Sequence, residues 1–215
     1  MDKTLKSNDI ISKTILNYGI KDFPTFTPSQ IENLKKIKLM YGDITKLRCD
    51  AIVNSANPSL MGGGGVDGAI HKAAGPKLNE ECLALNGCLT GEAKITKAYK
   101  LPSKFIIHTV GPVYDRNKRE AQTQQLKNCY YNSLKIANEK GLKTIAFPGI
   151  STGIFGFPTR LAVPAVFDEV TRALSEFTKI KEVILISYTP IQFQTYTAYL
   201  NQIKKVFCDS NIKTK

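Results

Sequence analysis

The sequence predicts an α/β domain of three layers, α/β/α, in which helices cover both faces of a mixed, largely parallel central sheet. Short β-branched or aromatic runs alternate with helical patterns along most of the 215 residues, which is typical of this class. Several of these runs are continuously apolar, as strands buried on both faces must be. The length allows one substantial core with an appendage and is short for two full domains.

The predicted strands begin at Ile37 and are, in chain order, the segments IKLMY, AIVNSA, ITKAY, FIIHTV, TIAFPGI and VILISY. Helical patterns cover residues 66–74, 77–85, 121–140, 159–177 and 195–207. Pro164 lies inside the fourth helical pattern, where it removes a backbone hydrogen bond. We therefore expect that helix either to kink at Pro164 or to start near Val163.

Residues 1–36 are predicted to be a short N-terminal helical extension, and residues 37–210 the main domain. The extension contains an amphipathic stretch at residues 8–18, a segment at residues 23–26 broken by Pro24, and a short helix with Thr27 as N-cap and Pro28 as its first residue. Its expected role is packing. We find no apolar run of the ~20 residues needed to cross a bilayer and no secretion signal. We therefore expect a soluble, monomeric, intracellular protein, cytoplasmic or nuclear, with no membrane partner.

Composition argues against a metal and leaves the kind of anionic partner open. The cysteines lack paired C-x-x-C spacing and only two histidines, His71 and His108, are present, so we predict no metal and no other cofactor. The formal net charge of +12 favours an anionic partner, either a nucleotide or a nucleic acid. Because the lysines are spread along the chain without an interleaved aromatic platform, a solvated lysine-rich surface is favoured over a nucleic-acid interface.

Two glycine-rich loops follow predicted strands, at the sheet edge where ligands bind in folds of this kind. The first, residues 57–68, contains four consecutive glycines before a helix, so its backbone N–H groups and the helix dipole can hold an anion. Its distance from the strand argues against a dinucleotide fingerprint, and a P-loop lysine is absent. The second, residues 151–158, lies in the equivalent place after TIAFPGI. Together they predict a nucleoside-diphosphate site, although a flexible loop without a ligand is the alternative for the first.

The motifs GDIT (residues 42–45), DAIVNSAN (50–57), GGGGVDGAIHKAAGP, HTVGPVY and ISTGIFGFP (150–158) occur in an order that resembles the macrodomain family, and within it the MacroD-type enzymes. The resemblance covers about residues 37–199. It implies a macrodomain over residues 37–210 that binds ADP-ribose and hydrolyses an ester on the terminal ribose without a metal. Similar enzymes remove mono-ADP-ribose from acidic side chains of proteins and deacetylate O-acetyl-ADP-ribose, so the implied partners are ADP-ribose, ADP-ribosylated proteins and O-acetyl-ADP-ribose.

The resemblance also implies roles for individual residues at the adenosine end and along the diphosphate. Asp43 would accept a hydrogen bond from the adenine amino group, the Ile44 amide would serve a ring nitrogen, and Tyr188 would pack on adenine. The alternatives are an N-cap for Asp43 and a core tyrosine for Tyr188. The residues implied to hold the diphosphate lie in the two loops: Gly63, Gly64, Gly65, Val66, Ser151, Thr152, Gly153 and Ile154.

At the other end, Asn57 would orient the terminal ribose, Asp67 would position or deprotonate the attacking water, and Phe155 would cover the ribose. His71, four residues after Asp67 and so on the same helical face, would hold Asp67 or a water. The alternatives are that Asn57 only forms a turn, that Asp67 only compensates the helix dipole, and that His71 has a structural role. A non-catalytic ADP-ribose reader and a nucleic-acid-binding module are the competing functions.

This sequence departs from the family pattern at Gly149, where a larger residue is more usual, and at Pro164. The connection VYDRNKREAQ is longer, and the N-terminal extension is added. None of these departures removes a proposed catalytic group.

Overall fold

The computed structural model describes residues 24–208, with side chains up to residue 206. The strands are β1 (Ile37–Tyr41), β2 (Ala51–Ala56), β3 (Ala93–Lys97), β4 (Phe105–Val110), β5 (Thr144–Phe147) and β6 (Glu182–Ser187). The helices are α1 (Pro28–Asn33), α2 (Gly65–Ala74), α3 (Lys77–Ala84), α4 (Arg119–Glu139), α5 (Thr159–Glu176) and α6 (Pro190–Cys208). Short 3₁₀ turns occupy Leu34–Lys36, Ile44–Lys46 and Arg116–Lys118.

The strands form one sheet in the order β1-β6-β5-β2-β4-β3. Every neighbouring pair is parallel except β3 with β4, so the predicted mixed, largely parallel sheet is confirmed. All six predicted segments contain a strand. The third strand ends at Lys97, before the predicted ITKAY segment does, because Tyr99 has a φ of 53° and leaves the extended conformation. The fifth strand ends at Phe147, because Pro148 has no N–H to continue the ladder.

Alternate residues of the strands fill two separate apolar layers. In β2, Val53 packs into the layer formed with α4, α5 and α6, whereas Ile52 packs into the layer formed with α2 and α3. Both side chains are completely buried. The period of two therefore places helices on both faces, and the predicted three-layer α/β/α architecture is confirmed.

One helix start agrees with the predicted pattern and one differs from it. Helix α5 begins at Thr159, where the pattern 159–177 begins, and it runs through Pro164, so the alternative of a start near Val163 is wrong. The residues around Pro164, including Val163 and Val166, are buried in the core, and this packing offsets the missing hydrogen bond. Helix α6 begins at Pro190, five residues before the prediction, and the Thr189 Oγ1 accepts from the Gln192 N–H at 3.3 Å. The signal that was missed is a Thr-Pro start, the same signal that begins α1.

Helix α1 packs on α5. Thr27 and Gln30 form a capping box, as the N-cap prediction requires. The Gln30 amide donates to the Thr171 Oγ1 at 3.3 Å, and the Asn33 amide donates to the Thr171 carbonyl at 3.0 Å. Phe26 and Leu34 join the core, in keeping with the packing role expected of the extension. The amphipathic stretch 8–18 lies outside the described residues. Within residues 24–208, no helix combines the length and the apolar character needed to cross a membrane.

Candidate active site

A cleft lies at the carboxyl edge of the parallel strands, where both glycine-rich loops leave the sheet. It consists of two cavities of about 530 Å³ and 330 Å³. Both cavities are lined by Gly65 and Val66 from the first loop, by Gly153 from the second, and by Gly149 just before the second loop. The two loops therefore form the middle of one continuous cleft, with a larger chamber on one side and a smaller chamber on the other.

The larger chamber contains the residues predicted to hold adenosine. Asp43 and Ile44, which follow β1, and Tyr188, which follows β6, all line it. The Asp43 Oδ1 caps the following 3₁₀ turn by accepting from the Thr45 N–H at 2.9 Å and its hydroxyl at 2.7 Å. Asp43 is therefore an N-cap, as the alternative interpretation has it, and it also lines the larger chamber. Tyr188 is 78% exposed, so the core-tyrosine alternative is wrong.

The first glycine loop folds back onto the start of α2. Gly62 and Gly65 have φ values of 82° and 60°, which other residues adopt only at a cost. A Cβ on Gly68 would lie 2.3 Å from the Gly63 carbonyl oxygen, so the loop and the helix are in backbone contact. The first N–H groups of a helix have no intrahelical partners, and here the loop brings them to the middle of the cleft. This arrangement suits a diphosphate.

The second loop is a compact turn held by its own backbone. The Phe157 N–H donates to the Ser151 carbonyl and the Gly156 N–H to the Gly153 carbonyl, both at 2.9 Å. Ser151 is buried with a φ of 61°, so it contributes to the loop through its backbone conformation. Ile154 is 85% exposed, and Phe155 is half-buried on the wall of the smaller chamber.

The structure gives a reason for the unusual Gly149. A Cβ at this position would lie 1.8 Å from the Gln192 Nε2 and 2.4 Å from the Thr152 Oγ1. The Gln192 amide occupies this space and donates to the Thr152 Oγ1 at 2.9 Å. Gln192 thereby ties the start of α6 to the second loop. Sequence reasoning missed Gln192, because the pairing of a small residue with a long one is visible only once the start of α6 is packed against the second loop.

Asn57 and Asp67 lie together on the wall of the smaller chamber. The Asn57 Nδ2 donates to the Gly62 carbonyl at 2.7 Å, and its Oδ1 accepts from the Ser59 N–H at 3.1 Å. Asn57 therefore forms the turn, as the alternative interpretation required, and also lines the chamber. A Cβ on Gly63 would lie 3.2 Å from the Asn57 Nδ2 and 3.3 Å from the Asp67 Oδ2, which places both groups beside the same loop residue.

Asp67 is almost fully buried, with only 4% of its surface exposed. Its Oδ1 accepts from the Asn54 Nδ2 at 2.7 Å and lies 3.4 Å from the His71 Nε2. Burial raises the pKa of Asp67 above its usual value, while the Asn54 hydrogen bond and the nearby His71 oppose this rise. The Asp67 Oδ1 is therefore held by a hydrogen bond from Asn54 and lies beside His71. The other oxygen, Oδ2, lies beside Gly63 of the first loop.

His71 contacts Asp67 as predicted, and its other ring nitrogen is also held. The His71 Nδ1 lies 2.5 Å from the Asn79 Oδ1 of α3. An amide oxygen only accepts, so Nδ1 carries a hydrogen, and Nε2 carries one only in the imidazolium form. The 3.4 Å separation between the His71 Nε2 and the Asp67 Oδ1 is longer than a normal hydrogen bond, so the two side chains are in contact without a short hydrogen bond between these atoms.

Three side chains with metal-ligating atoms, His71, Cys82 and His108, lie with those atoms within 4.8 Å of one another. Sequence reasoning missed this group because its members are scattered along the chain. Both ring nitrogens of His108 have hydrogen-bond partners, and burial lowers the pKa of His108 to about 3. Burial also raises the pKa of Cys82 to about 11, which favours the thiol. His108 and Cys82 thus belong to a network of buried hydrogen bonds, and the expectation of no metal stays a prediction.

Fold and cleft define an α/β domain built to hold an extended anionic ligand across two glycine loops, and the comparisons with known proteins identify its family. The sequence matches the Macro domain family over residues 53–166. A macro domain-containing protein of Methanosarcina mazei is 48% identical over 171 residues, which cover 80% of this chain and 91% of that protein. This chain belongs to the macrodomain family.

Relatives with named functions are also similar to this chain. ADP-ribose glycohydrolase MACROD2 of Homo sapiens is 45% identical over 173 residues, which cover 80% of this chain and 41% of that longer protein. The crystal structure of the Trypanosoma brucei macrodomain in complex with ADP-ribose superposes with a TM-score of 0.73 at 38% identity, covering 86% of this chain and 75% of the other. The resemblance to MacroD-type macrodomains that was noted from the motifs is therefore confirmed.

Proposed function

We propose that this protein binds ADP-ribose in the two-chamber cleft and hydrolyses an ester on its terminal ribose. One observation carries the proposal: a buried carboxylate, Asp67, lies on the wall of a small chamber that opens directly from the two anion-binding loops. If the diphosphate of ADP-ribose is bound at the two loops, the terminal ribose lies beside Asp67. The similarity to an ADP-ribose glycohydrolase and to a macrodomain that binds ADP-ribose supports the same conclusion.

The ligand would lie along the cleft with its adenosine in the larger chamber. There, Tyr188 offers an exposed aromatic face on which a base can stack, and Asp43 and the Ile44 amide offer hydrogen-bonding groups to the ring. The diphosphate would lie between the two loops and at the start of α2. The terminal ribose would then occupy the smaller chamber, against Asn57 and Phe155.

Asp67 would act mainly by positioning the attacking water. A carboxylate with an ordinary pKa of about 3.9 is a weak base at neutral pH. Burial raises the pKa of Asp67 and so increases its basicity, while the hydrogen bond from Asn54 limits the increase and holds the group in place. Phe155, on the wall of the smaller chamber, would exclude other water from the reacting centre.

The proposed substrates are proteins with mono-ADP-ribose on acidic side chains, and O-acetyl-ADP-ribose, because both carry an acyl ester on the terminal ribose. Single-turnover hydrolysis in water labelled with ¹⁸O locates the attack on a protein-linked ester. Attack at the acyl carbon puts the label in the released carboxylate, whereas attack at the anomeric carbon puts it on the ribose. Turnover in the presence of a chelator tests the proposed independence from metals.

The experiment that tests binding is a calorimetric titration with ADP-ribose, AMP and NAD. We expect micromolar or tighter binding of ADP-ribose, unaffected by chelator, and weaker binding of AMP, which cannot fill the smaller chamber. A reader would bind ADP-ribose equally well and hydrolyse no ester of it. A nucleic-acid-binding module would instead bind oligonucleotides with a steep salt dependence. An intracellular location, cytoplasmic or nuclear, and a monomeric state stay predictions.

A further inference from the structure

A chain of buried polar side chains lies behind Asp67 and crosses the sheet from its edge. The Thr96 Oγ1 of β3 lies 2.9 Å from the His108 Nε2 of β4. The His108 Nδ1 lies 3.1 Å from the Asn54 Nδ2 of β2, to which it is directly paired in the sheet. The same Asn54 Nδ2 donates to the Asp67 Oδ1 at 2.7 Å. Three strands and a helix are thus linked in series to one carboxylate oxygen.

The numbers of donors and acceptors determine which atom donates at each link of this series of side chains. The Asn54 Nδ2 has two hydrogens, and it uses one on Asp67 and one on His108. The His108 Nδ1 must therefore accept, which leaves the hydrogen on Nε2, where it donates to the Thr96 Oγ1. This tautomer is neutral, in agreement with the pKa of about 3 to which burial lowers His108. Each group is therefore fixed by the next.

Packing alone does not account for these residues. Asn54 and His108 are completely buried, and the neighbouring strand residues in the two core layers are apolar, for example Ile52 and Ile106. Buried polar groups cost free energy unless they are paired, and the Asn54 Oδ1 has no hydrogen-bond partner among residues 24–206. An apolar pair would fill the space without this cost. The polar side chains, in contrast, provide a fixed hydrogen-bond donor to Asp67.

We propose that Asn54, His108 and Thr96 are positioning residues, forming a relay that fixes the Asp67 carboxylate with its Oδ2 beside Gly63 on the wall of the smaller chamber. The consequence for turnover rests on the proposed function, whereas the effect on Asp67 itself does not. A misplacement of about 1 Å at a reacting group can cost about 100-fold in rate. The relay prevents such movement, because Asp67 cannot rotate without breaking the bond from Asn54.

The relay also acts on the ionisation of Asp67. Among the described residues, His71 on its own helix and Cys82 on α3 are the titratable side chains that interact with Asp67, and His108 on β4 lies beyond Asn54, to which it is hydrogen-bonded. The Asn54 donor stabilises the charged carboxylate, so its loss raises the pKa of Asp67. Loss of the His108 acceptor frees the Asn54 amide to rotate, and the pKa of Asp67 should rise in the same direction. This change can be measured without any substrate.

The test compares variants that keep or remove each hydrogen bond while leaving the volume similar. His108→Leu removes the acceptor for Asn54, whereas His108→Asn keeps an oxygen at the position of the ring Nδ1. Thr96→Val removes the oxygen acceptor of the His108 Nε2 with little change of shape and leaves only the weaker contact with the Cys82 Sγ at 3.7 Å, whereas Thr96→Ser keeps the oxygen. Thermal unfolding selects the folded variants, and the Thr96 pair covers the case in which the His108 variants do not fold.

The first measurement is the pKa of Asp67 from the ¹³C-carboxyl NMR signal of labelled protein, assigned with Asp67→Asn. We expect it to rise in His108→Leu and Thr96→Val, and to stay near the wild-type value in His108→Asn and Thr96→Ser. An unchanged pKa in every folded variant would overturn the relay, whether or not the protein is a hydrolase.

The second measurement is the kinetics of ester hydrolysis. We expect kcat to fall roughly 10- to 100-fold in His108→Leu, as for loss of a hydrogen bond to a charged group, with KM and ADP-ribose affinity changed by no more than a few-fold. His108→Asn should restore most of the rate. An equal loss in both variants would overturn the relay, since the hydrogen bond would then not be the cause. A wild type that hydrolyses no ester would refute the proposed function alone.

Discussion

The sharpest test of the first glycine loop is Gly68→Ala, a change that is favourable in most helices. Helix propensity alone predicts that alanine stabilises this position of α2 by about 1 kcal/mol. Here, however, the added Cβ would lie 2.3 Å from the Gly63 carbonyl oxygen and 3.4 Å from the Gly63 carbonyl carbon. Carbon and carbonyl oxygen approach each other to about 3.3–3.6 Å in proteins, so the loop must move by about 1 Å.

That movement acts directly on the ligand site. Gly63 lines the smaller chamber beside the Asn57 Nδ2 and the Asp67 Oδ2, so a shift of about 1 Å alters both the anion-binding loop and the reacting end. We expect ADP-ribose affinity to fall at least 10-fold, which corresponds to about 1.4 kcal/mol. Turnover at saturating substrate should fall by about 100-fold.

The assay is a calorimetric titration with ADP-ribose and single-turnover hydrolysis on the same preparation, with thermal unfolding as a check on the fold. Lys72→Ala is the control, because it changes an exposed side chain of the same helix. A Gly68→Ala protein that is more stable and keeps wild-type affinity and turnover would refute the reasoning, because the loop would then not depend on close backbone contact.

Three further predictions concern other parts of the fold. Asp43→Ala should weaken both ADP-ribose and AMP by about 1.5–3 kcal/mol in titrations, and an unchanged affinity would place adenine elsewhere. Gly149→Ala should displace the Gln192 amide and weaken ADP-ribose binding, and the double variant with Gln192→Ala should recover part of the loss. Partial burial raises the pKa of Asp50, but hydrogen bonds from Lys104 and two backbone N–H groups outweigh this and lower it to about 2. Asp50→Asn should therefore destabilise the protein at neutral pH. The difference from wild type in urea unfolding should shrink as the pH falls from about 4 to about 2, and a difference independent of pH would contradict this.

The parts of the fold that could be predicted from the sequence are those set by local patterns. Apolar runs such as AIVNSA and FIIHTV identify buried strands, and the sheet order then brings both glycine loops to one edge. The start of α6 at Pro190 was missed although Thr189 and Pro190 repeat the signal that begins α1. The helical period of residues 195–207 predicts a later start.

The parts of the site that could not be predicted depend on contacts between distant residues. The motifs place Asp67 in the site, but nothing local indicates that its Oδ1 is held by Asn54, or that Asn54 is held by His108, 54 residues later. Likewise, the sequence alone does not explain Gly149, because the Gln192 amide that fills the space of a Cβ at this position lies on a distant helix. Such pairs arise from strand order and helix packing, which no short stretch of sequence contains.

The measurement that tests the central claim most directly is hydrolysis beside binding for Asp67→Ala and Asp67→Asn. If Asp67 acts on the attacking water, its contribution belongs to the transition state, so its removal should lower turnover far more than affinity. We expect both variants to bind ADP-ribose as well as wild type or slightly more tightly, because a negative charge near the diphosphate is removed. Release of product from an ADP-ribosylated acidic side chain or from O-acetyl-ADP-ribose should fall by roughly 100-fold or more. Near-normal hydrolysis by the variants would contradict the role of Asp67, and a wild type that hydrolyses neither ester would make the protein a reader of ADP-ribose.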